Sequence, residues 1–110
     1  MGTVSRMDLA DQHAWWKAQG GQELRRLLID AWDPIGVKGS PEGADEYDSY
    51  RSELVRLLRE GASAQQLAEC LSAAQERMGA PRPPESLLPV ADALLTWYPA
   101  SIARWIDSRQ

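Results

Sequence analysis

The chain has 110 residues, of which 44% are hydrophobic and 25% are charged, and it carries a net charge of −4. This length predicts one domain, and this composition is typical of a globular protein with its own core, which excludes a disordered or fibrous chain. The negative charge argues against nucleic-acid binding, because phosphate contacts need clustered Lys and Arg.

Cysteine usage and the amino terminus predict the compartment. Cys70 is the only cysteine, so no disulfide can form within the chain and a reducing compartment is favoured. Near the amino terminus, Asp8, Asp11 and His13 interrupt the apolar run that a signal peptide needs, and no apolar stretch approaches the about 18 residues of a membrane span. We therefore expect a cytoplasmic protein that does not enter a membrane.

Two segments before residue 33 have helical periodicity. The first places Leu9, His13 and Trp16 on one stripe, and the pair Gly20-Gly21 is expected to end it as a short helix. A second, core-facing helix follows the glycines. Its apolar stripe consists of Leu24, Leu27, Leu28 and Ala31.

Trp32 ends the second helix on its buried side, and a turn follows. Asp33, Pro34 and Gly36 match a type I turn, since Asp accepts hydrogen bonds at the first position, Pro presets φ at the second and Gly is favoured at the fourth. The next residues, VKGSPEG, contain two glycines and a proline and predict a loop. About a dozen residues would then separate this helix from the next, a length at which loops tend to be functional or disordered.

Three further stretches predict helices. One begins near Asp45 and stops at Gly61; the next follows Ser63, which forms a capping-box pattern with Gln66; the third begins near Pro89. Their core-facing residues are Tyr47, Tyr50, Leu54, Leu57 and Leu58, then Leu67, Cys70, Leu71, Ala74 and Met78, then Leu87, Val90, Ala91, Leu94, Leu95 and Tyr98.

The carboxyl-terminal segment and the overall pattern complete the fold prediction. Pro99 is expected to break or kink the helix before it, which leaves Ile102, Trp105 and Ile106 as the apolar face of a last short helix. No segment alternates with the period of two that is typical of strands. The sequence therefore predicts an all-α fold, a single-domain bundle of about four main helices plus short N- and C-terminal helices.

The net charge comes from one cluster, formed by Glu42, Asp45, Glu46 and Asp48. Residues 1–41 contain five bases and five acids, and residues 49–110 contain seven of each. The acidic cluster is therefore the candidate site.

Three interpretations of this cluster stay open. Carboxylates bind divalent cations, but the spacing here fits an EF-hand loop poorly. Acids at the start of a helix from Asp45 stabilise its dipole, which explains every member of the cluster except Glu42. Concentrated carboxylates also attract a basic protein, and Tyr47 would add contact area beside them. The helical spacing of Tyr47 with Tyr50 and Leu54 is equally that of a core residue.

The other reactive residue types predict no second site. The five tryptophans are mostly core residues, and Trp15 or Trp16 is expected to be the exposed one because neighbours on a helix cannot both face inward. His13 has no partner at catalytic or ligand spacing, and Cys70 lies on an apolar stripe where a thiol is inert. We predict no enzymatic activity, no cofactor and no metal.

A resemblance adds to this interpretation. The segments WDPIGV, DEYDSY, LVRLLREGAS and ERMG together resemble a family of small bacterial helical proteins of unknown function with a WDPIGV…DEYD motif, over Leu24 to Tyr98. The resemblance implies a small helical bundle with a family-like core at 21–98, a variable N-terminal helix at 1–20 and a C-terminal extension at 99–110. It implies no catalytic residues. In size and charge the chain is also similar to the immunity partners of bacterial toxins, which block basic nucleases with acidic faces.

The leading prediction is a non-catalytic protein-binding module, immunity-type or regulatory, that presents an acidic loop to a protein with a basic surface. Its contact residues would be Glu42, Asp45, Glu46, Tyr47 and Asp48. One alternative is a metal-binding or enzymatic protein that uses the carboxylates of 42–48. A second is that the motif is purely structural, with Trp32 in the core, Asp33 and Pro34 turning the chain, and the acids stabilising a helix.

Overall fold

Four helices in the described part of the chain form a compact all-α bundle, as predicted. The structure is a computed structural model that describes residues 8–32 and 41–108, apart from the side chains of 41–49. Within these ranges there is no strand. We name the helices α1 (residues 9–32), α2 (Pro41–Arg59), α3 (Ala64–Arg77) and α4 (Leu88–Ser108), the last preceded by a 3₁₀ turn at Pro84–Leu87. None of the described helices combines the length and the apolar composition needed to cross a bilayer.

Helix α1 runs through the glycine pair, so the prediction that Gly20 and Gly21 end a first short helix is wrong. Both glycines have right-handed helical angles, with φ near −60°. The helix alternates between α and π geometry over Leu9–Trp15, Trp16–Gly20, Gly21–Leu27 and Leu28–Trp32.

The reason for glycine at position 20 is close packing. A Cβ atom at Gly20 would lie 2.6 Å from the indole ring of Trp15, which is closer than two carbon atoms can approach without movement. Gly20 therefore makes room for a buried tryptophan instead of ending the helix.

The buried face of the first part of α1 also differs from the predicted stripe. Leu9 is 67% exposed and His13 is exposed, whereas Gln12 and Trp15 are buried. Trp16 is half-buried, so neither of the adjacent tryptophans is the exposed one. The buried face of this part of α1 is the one that contacts α4, where Gln12 donates a hydrogen bond to the Tyr98 hydroxyl at 3.1 Å.

Helix α2 begins at Pro41, four residues before the predicted start at Asp45. Proline suits the first turn of a helix, where its missing N–H has no intrahelical acceptor in any case. The prediction of a loop of about a dozen residues is therefore wrong, since only residues 33–40 separate α1 from α2. The predicted turn residues Asp33, Pro34 and Gly36 lie outside the described residues.

The connection from α2 to α3 agrees with the prediction. Gly61 has a φ of +84°, the left-handed conformation that ends many helices. The capping box is confirmed, because the Ser63 hydroxyl accepts from the Gln66 amide at 3.2 Å and the Gln66 side chain accepts from the Ser63 amide at 2.8 Å. The two helices run antiparallel, with Tyr50 of α2 beside Arg77 of α3.

Helix α4 continues through Pro99, so the predicted separate C-terminal helix is wrong. A proline inside a helix removes one backbone hydrogen bond and crowds the preceding turn. Packing offsets this cost, because Ile102 and Trp105 beyond the proline form a buried cluster with Trp15. The first part of α1 and the last part of α4 thus pack against each other.

The main core is shared by all four helices. Its members are Leu24, Leu28 and Trp32 from α1, Leu54 and Leu58 from α2, Ala62 from the turn, Leu67, Ala68, Leu71 and Ala74 from α3, Leu87 from the 3₁₀ turn, and Val90, Ala91 and Leu94 from α4. Cys70 was predicted to lie on the buried stripe of α3, but it is only half-buried at the edge of this core.

Candidate functional site

Trp32, the first residue of the stretch that contains the acidic cluster, is part of the core. Its side chain is 6% exposed, and its indole N–H donates to the Gln75 side-chain oxygen at 2.7 Å. Gln75 is also buried, and its amide nitrogen donates to the carbonyl of Ala80 at 2.6 Å. The polar edge of Trp32 is therefore satisfied inside the core, and the end of α1 is joined to α3 and to the connection after it.

Tyr50, the last residue of the same stretch, packs against Trp32. The two rings meet edge to face, with centroids 6.3 Å apart and an interplanar angle of 84°. The guanidinium of Arg77 lies 5.3 Å from the centroid of the Tyr50 ring, at a distance typical of a cation–π contact. The structure therefore brings together Trp32 and Tyr50, the first and last residues of the stretch that contains the acidic cluster.

The acidic cluster lies on the first two turns of α2. Glu42 falls in the first turn, and Asp45, Glu46, Tyr47 and Asp48 make up the second. Their side chains are outside the described part of the structure. Their register relative to Tyr50 and the rest of α2 follows from the backbone.

The new start of α2 changes the helix-dipole interpretation. The stabilising effect of an acid on the helix dipole is largely confined to the first turn. With the start at Pro41, position 42 lies in the first turn of α2, whereas the prediction had placed it before the helix. Asp45, Glu46 and Asp48 are correspondingly less well explained as dipole-stabilising residues.

A mixed cavity of about 420 Å³ lies directly beyond the cluster, between the outer sides of α2 and α3. It is lined by Tyr50, Glu53, Cys70, Ala73 and Arg77. Burial raises the pKa of the Cys70 thiol, and the nearby Glu53 carboxylate raises it further. The thiol is therefore protonated at neutral pH and is a poor nucleophile.

The sequence analysis missed a polar cluster between α1 and α4 that is centred on Glu23. One carboxylate oxygen of Glu23 accepts from Ser101 at 2.6 Å, from the Trp97 indole at 2.9 Å and from Arg104 at 2.9 Å. Its other oxygen accepts from Gln19 at 3.2 Å. The cluster holds the second half of α4 against α1.

A sequence signal for this cluster exists. Gln12, Trp15, Gln19 and Glu23 recur every three to four residues and so share one face of α1. Because this face is polar and aromatic, the periodicity of apolar residues does not identify it. The Ser101 hydroxyl, which accepts from the Trp15 indole at 3.0 Å, shows why such a face is buried.

Glu23 is expected to make stability depend on pH. Burial alone would raise its pKa, but hydrogen bonds from Ser101, Trp97 and Arg104 together lower the pKa below the ordinary value of 4.5. A lowered pKa in the folded state adds stability above the unfolded value, and this stability is lost as the pH falls through the folded value. Glu23→Gln should therefore cost about 1–2 kcal/mol at neutral pH.

Urea unfolding of Glu23→Gln and of the unchanged chain between neutral and acidic pH measures this effect. The difference between the two should shrink as the pH falls below 4.5. Glu85→Gln, at an exposed glutamate on the 3₁₀ turn, is the matched control and should show almost no difference. A difference that stays constant with pH would contradict the assigned role of the carboxylate.

The described side chains contain no group of three His, Cys, Asp or Glu residues that could together hold a metal ion. Comparison of the chain with models of protein families, with curated proteins and with solved structures finds no match in any of the three.

Proposed function

We propose that the protein is a non-catalytic binding module that presents the acidic first half of α2 to a protein with a basic surface. The contact residues are Glu42, Asp45, Glu46, Tyr47 and Asp48. An immunity-type or regulatory role and a bacterial family are parts of the same proposal. So is a cytoplasmic location, which the single cysteine favours.

The start of α2 at Pro41 is the observation that carries the proposal. It places positions 42, 45 and 46 at the spacing i, i+3 and i+4, and residues at this spacing are neighbours on a helix surface. A helix also holds charged groups in a more constant arrangement than a loop does, which favours specific capture of a partner. The helical backbone at these positions supports the proposal that a partner meets the acidic cluster on a helix rather than on a long loop.

The outer face of α2 supports this interpretation beyond the cluster. Glu53 and Glu60 are exposed, and Arg56 between them bonds to both, at 3.0 and 3.1 Å. Positions 42, 45, 49, 53, 56 and 60 follow one another at helical spacing, so this face contains one base among four acids. A negative potential along one face attracts a positive surface and speeds its capture.

Tyr50 and its surroundings supply a contact next to the charges. Tyr50 is half-buried and contacts both the Trp32 ring and the Arg77 guanidinium. The adjoining cavity of about 420 Å³ offers a partner side chain a shaped recess beside an aromatic ring. Interfaces draw much of their binding energy from such aromatic positions.

The test is quantitative capture of proteins from the native cell. The triple variant Asp45→Asn, Glu46→Gln and Asp48→Asn should capture its partner about tenfold more weakly at low salt, because electrostatic capture is lost. The control triple Glu69→Gln, Glu76→Gln and Glu85→Gln removes the same charge from exposed positions elsewhere and should leave capture unchanged. Equal capture by both variants would contradict the proposal, provided that circular dichroism shows both to be folded.

The metal-binding alternative stays a prediction with a test of its own. A cation held by the carboxylates of 42–48 should raise the melting temperature by mass action. Calorimetric titration with Ca²⁺, Mg²⁺, Mn²⁺ and Zn²⁺ measures binding of each cation directly. The same acidic triple variant should abolish any binding.

A further inference from the structure

An apolar groove lies at the opposite end of α2 from the acidic cluster. It has a volume of about 540 Å³ and runs between the turn that follows α2 and the second half of α4. Leu58 and Ala62 form one wall, and Leu95, Pro99, Ala103 and Ile106 are among the residues of the other. Its volume is within the range of pockets that bind ligands, about 300–1,000 Å³.

The continuation of α4 through Pro99 creates this groove. Leu95, Pro99, Ala103 and Ile106 recur every three to four residues and form an apolar stripe about 16 Å long. Ala103 and Pro99 are exposed. Helix α2 ends at Arg59 and the chain turns back at Gly61, where an added Cβ would meet nothing within 4 Å, so the stripe extends beyond the elements that pack on it.

Among the described residues that line the groove, the charged one is acidic. Asp107 lines the groove, and Asp92 is an exposed residue three positions before Leu95, which places it near the same side of α4. Arg104 is the only base in α4, and it is ion-paired with Glu23 of α1 at 2.9 Å. No Lys or Arg is among the described residues that line the groove.

We propose that this groove binds one amphipathic helix of a partner protein, with an apolar row against the stripe of α4 and a Lys or Arg at the end beside Asp107. A stripe of this length accommodates about three turns of a helix, and helices pack by fitting ridges into such grooves. The basic end follows from charge complementarity with Asp107.

The same charges argue against a second copy of the chain as the occupant. The chain has a net charge of −4, and a twofold dimer through this groove would bring the Asp92 and Asp107 residues of both copies onto one interface. None of the described residues that line the groove is a base that could offset these charges. Like charges at an interface oppose association. The groove proposal does not depend on the acidic cluster of α2.

The probe is a helical peptide of about 18 residues with leucines on one face, glutamines elsewhere and two lysines in its last turn. A second peptide carries two glutamates in place of the lysines. Nuclear magnetic resonance titration of the full chain should show the lysine peptide shifting signals of residues 58–62 and 95–107. Its affinity should exceed that of the glutamate peptide by about two- to fivefold at low salt, as expected for exposed charge pairs.

Two variants separate the apolar contact from the charge. Ala103→Lys places a long charged side chain at an exposed position of the groove. It should lower the affinity for the lysine peptide by about tenfold or more. Ala18→Lys, at an exposed position of α1, is its control and should leave binding unchanged. Asp107→Asn should remove most of the preference for lysine over glutamate. The acidic triple variant of α2 should keep the groove contact, so failure of either proposal is visible separately.

Four results would overturn this proposal. They are shifts outside the groove, equal affinity for the two peptides, a dimer in sedimentation that Ala103→Lys dissociates, and nuclear Overhauser contacts from residues 1–7 to the groove in the free chain. The third would identify a second copy as the occupant, and the fourth would identify the chain's own amino-terminal segment.

Discussion

Trp32→Ala is expected to lower the free energy of unfolding by about 3–5 kcal/mol, as large truncations of buried aromatic residues do. Two losses add up here. The indole leaves a cavity between α1, α2 and α3, where it is 6% exposed and packs against Tyr50. The buried side-chain oxygen of Gln75 also loses the donor that now lies 2.7 Å away. Urea unfolding followed by circular dichroism at 222 nm, a standard helix signal, measures the change.

Trp32→Phe separates these two contributions. Phenylalanine retains most of the apolar volume but donates no hydrogen bond, so Gln75 stays buried with one unsatisfied acceptor, at a cost of about 1–3 kcal/mol. Adding Gln75→Leu to Trp32→Phe should recover part of the loss, because both polar partners are then removed. A melting temperature that hardly moves in Trp32→Ala would show that Trp32 is not a core residue.

Gly20→Ala should destabilise the protein by about 1–3 kcal/mol, the usual cost of overpacking a core. The sign of the change in stability distinguishes overpacking from helix propensity. Within a helix, alanine is ordinarily more favourable than glycine by about 1 kcal/mol. At position 20 the added Cβ would lie 2.6 Å from the Trp15 ring, which is itself fully buried and held by Ser101.

Gly21→Ala is the matched control in the same helix. The nearest atoms to a Cβ there are a terminal nitrogen of Arg51 at 3.2 Å and atoms of Trp16 at 3.3 Å, so the neighbours need to move much less. Its melting temperature should stay close to that of the unchanged chain or rise. Stabilisation by Gly20→Ala would mean that Trp15 does not pack against α1 as described.

The two proposed surfaces lie at opposite ends of one helix. Helix α2 has 19 residues and is therefore roughly 28 Å long, with the acidic cluster in its first two turns and Leu58 of the groove in its last. Both proposals name a basic partner, but through different contacts. The acidic cluster would attract its partner by charge, whereas the groove would bind through apolar area with charge at one end.

The fold class and most helix ends could be predicted from the sequence, because they depend on local chemistry. Apolar residues every three to four positions identified the cores of α2 and α3, and the Ser63 capping box involves atoms only three residues apart. The turn at Gly61 depends on the freedom of one residue to adopt a positive φ. The candidate site was predicted as a set of residues, since an uneven distribution of charge is visible without coordinates.

The tertiary structure decided the points at which a local signal competes with packing. Gly20 and Pro99 are typical of helix ends, yet both lie inside helices, because Trp15 needs the space of a missing side chain and the residues after Pro99 gain a buried partner in α1. The Glu23 cluster joins residues more than 70 positions apart, so spacing along the chain indicates the polar face of α1 but not its partners in α4. Local chemistry thus determined which residues become helical, and only packing between distant segments determined where those helices continue, which faces they bury and where a groove is left.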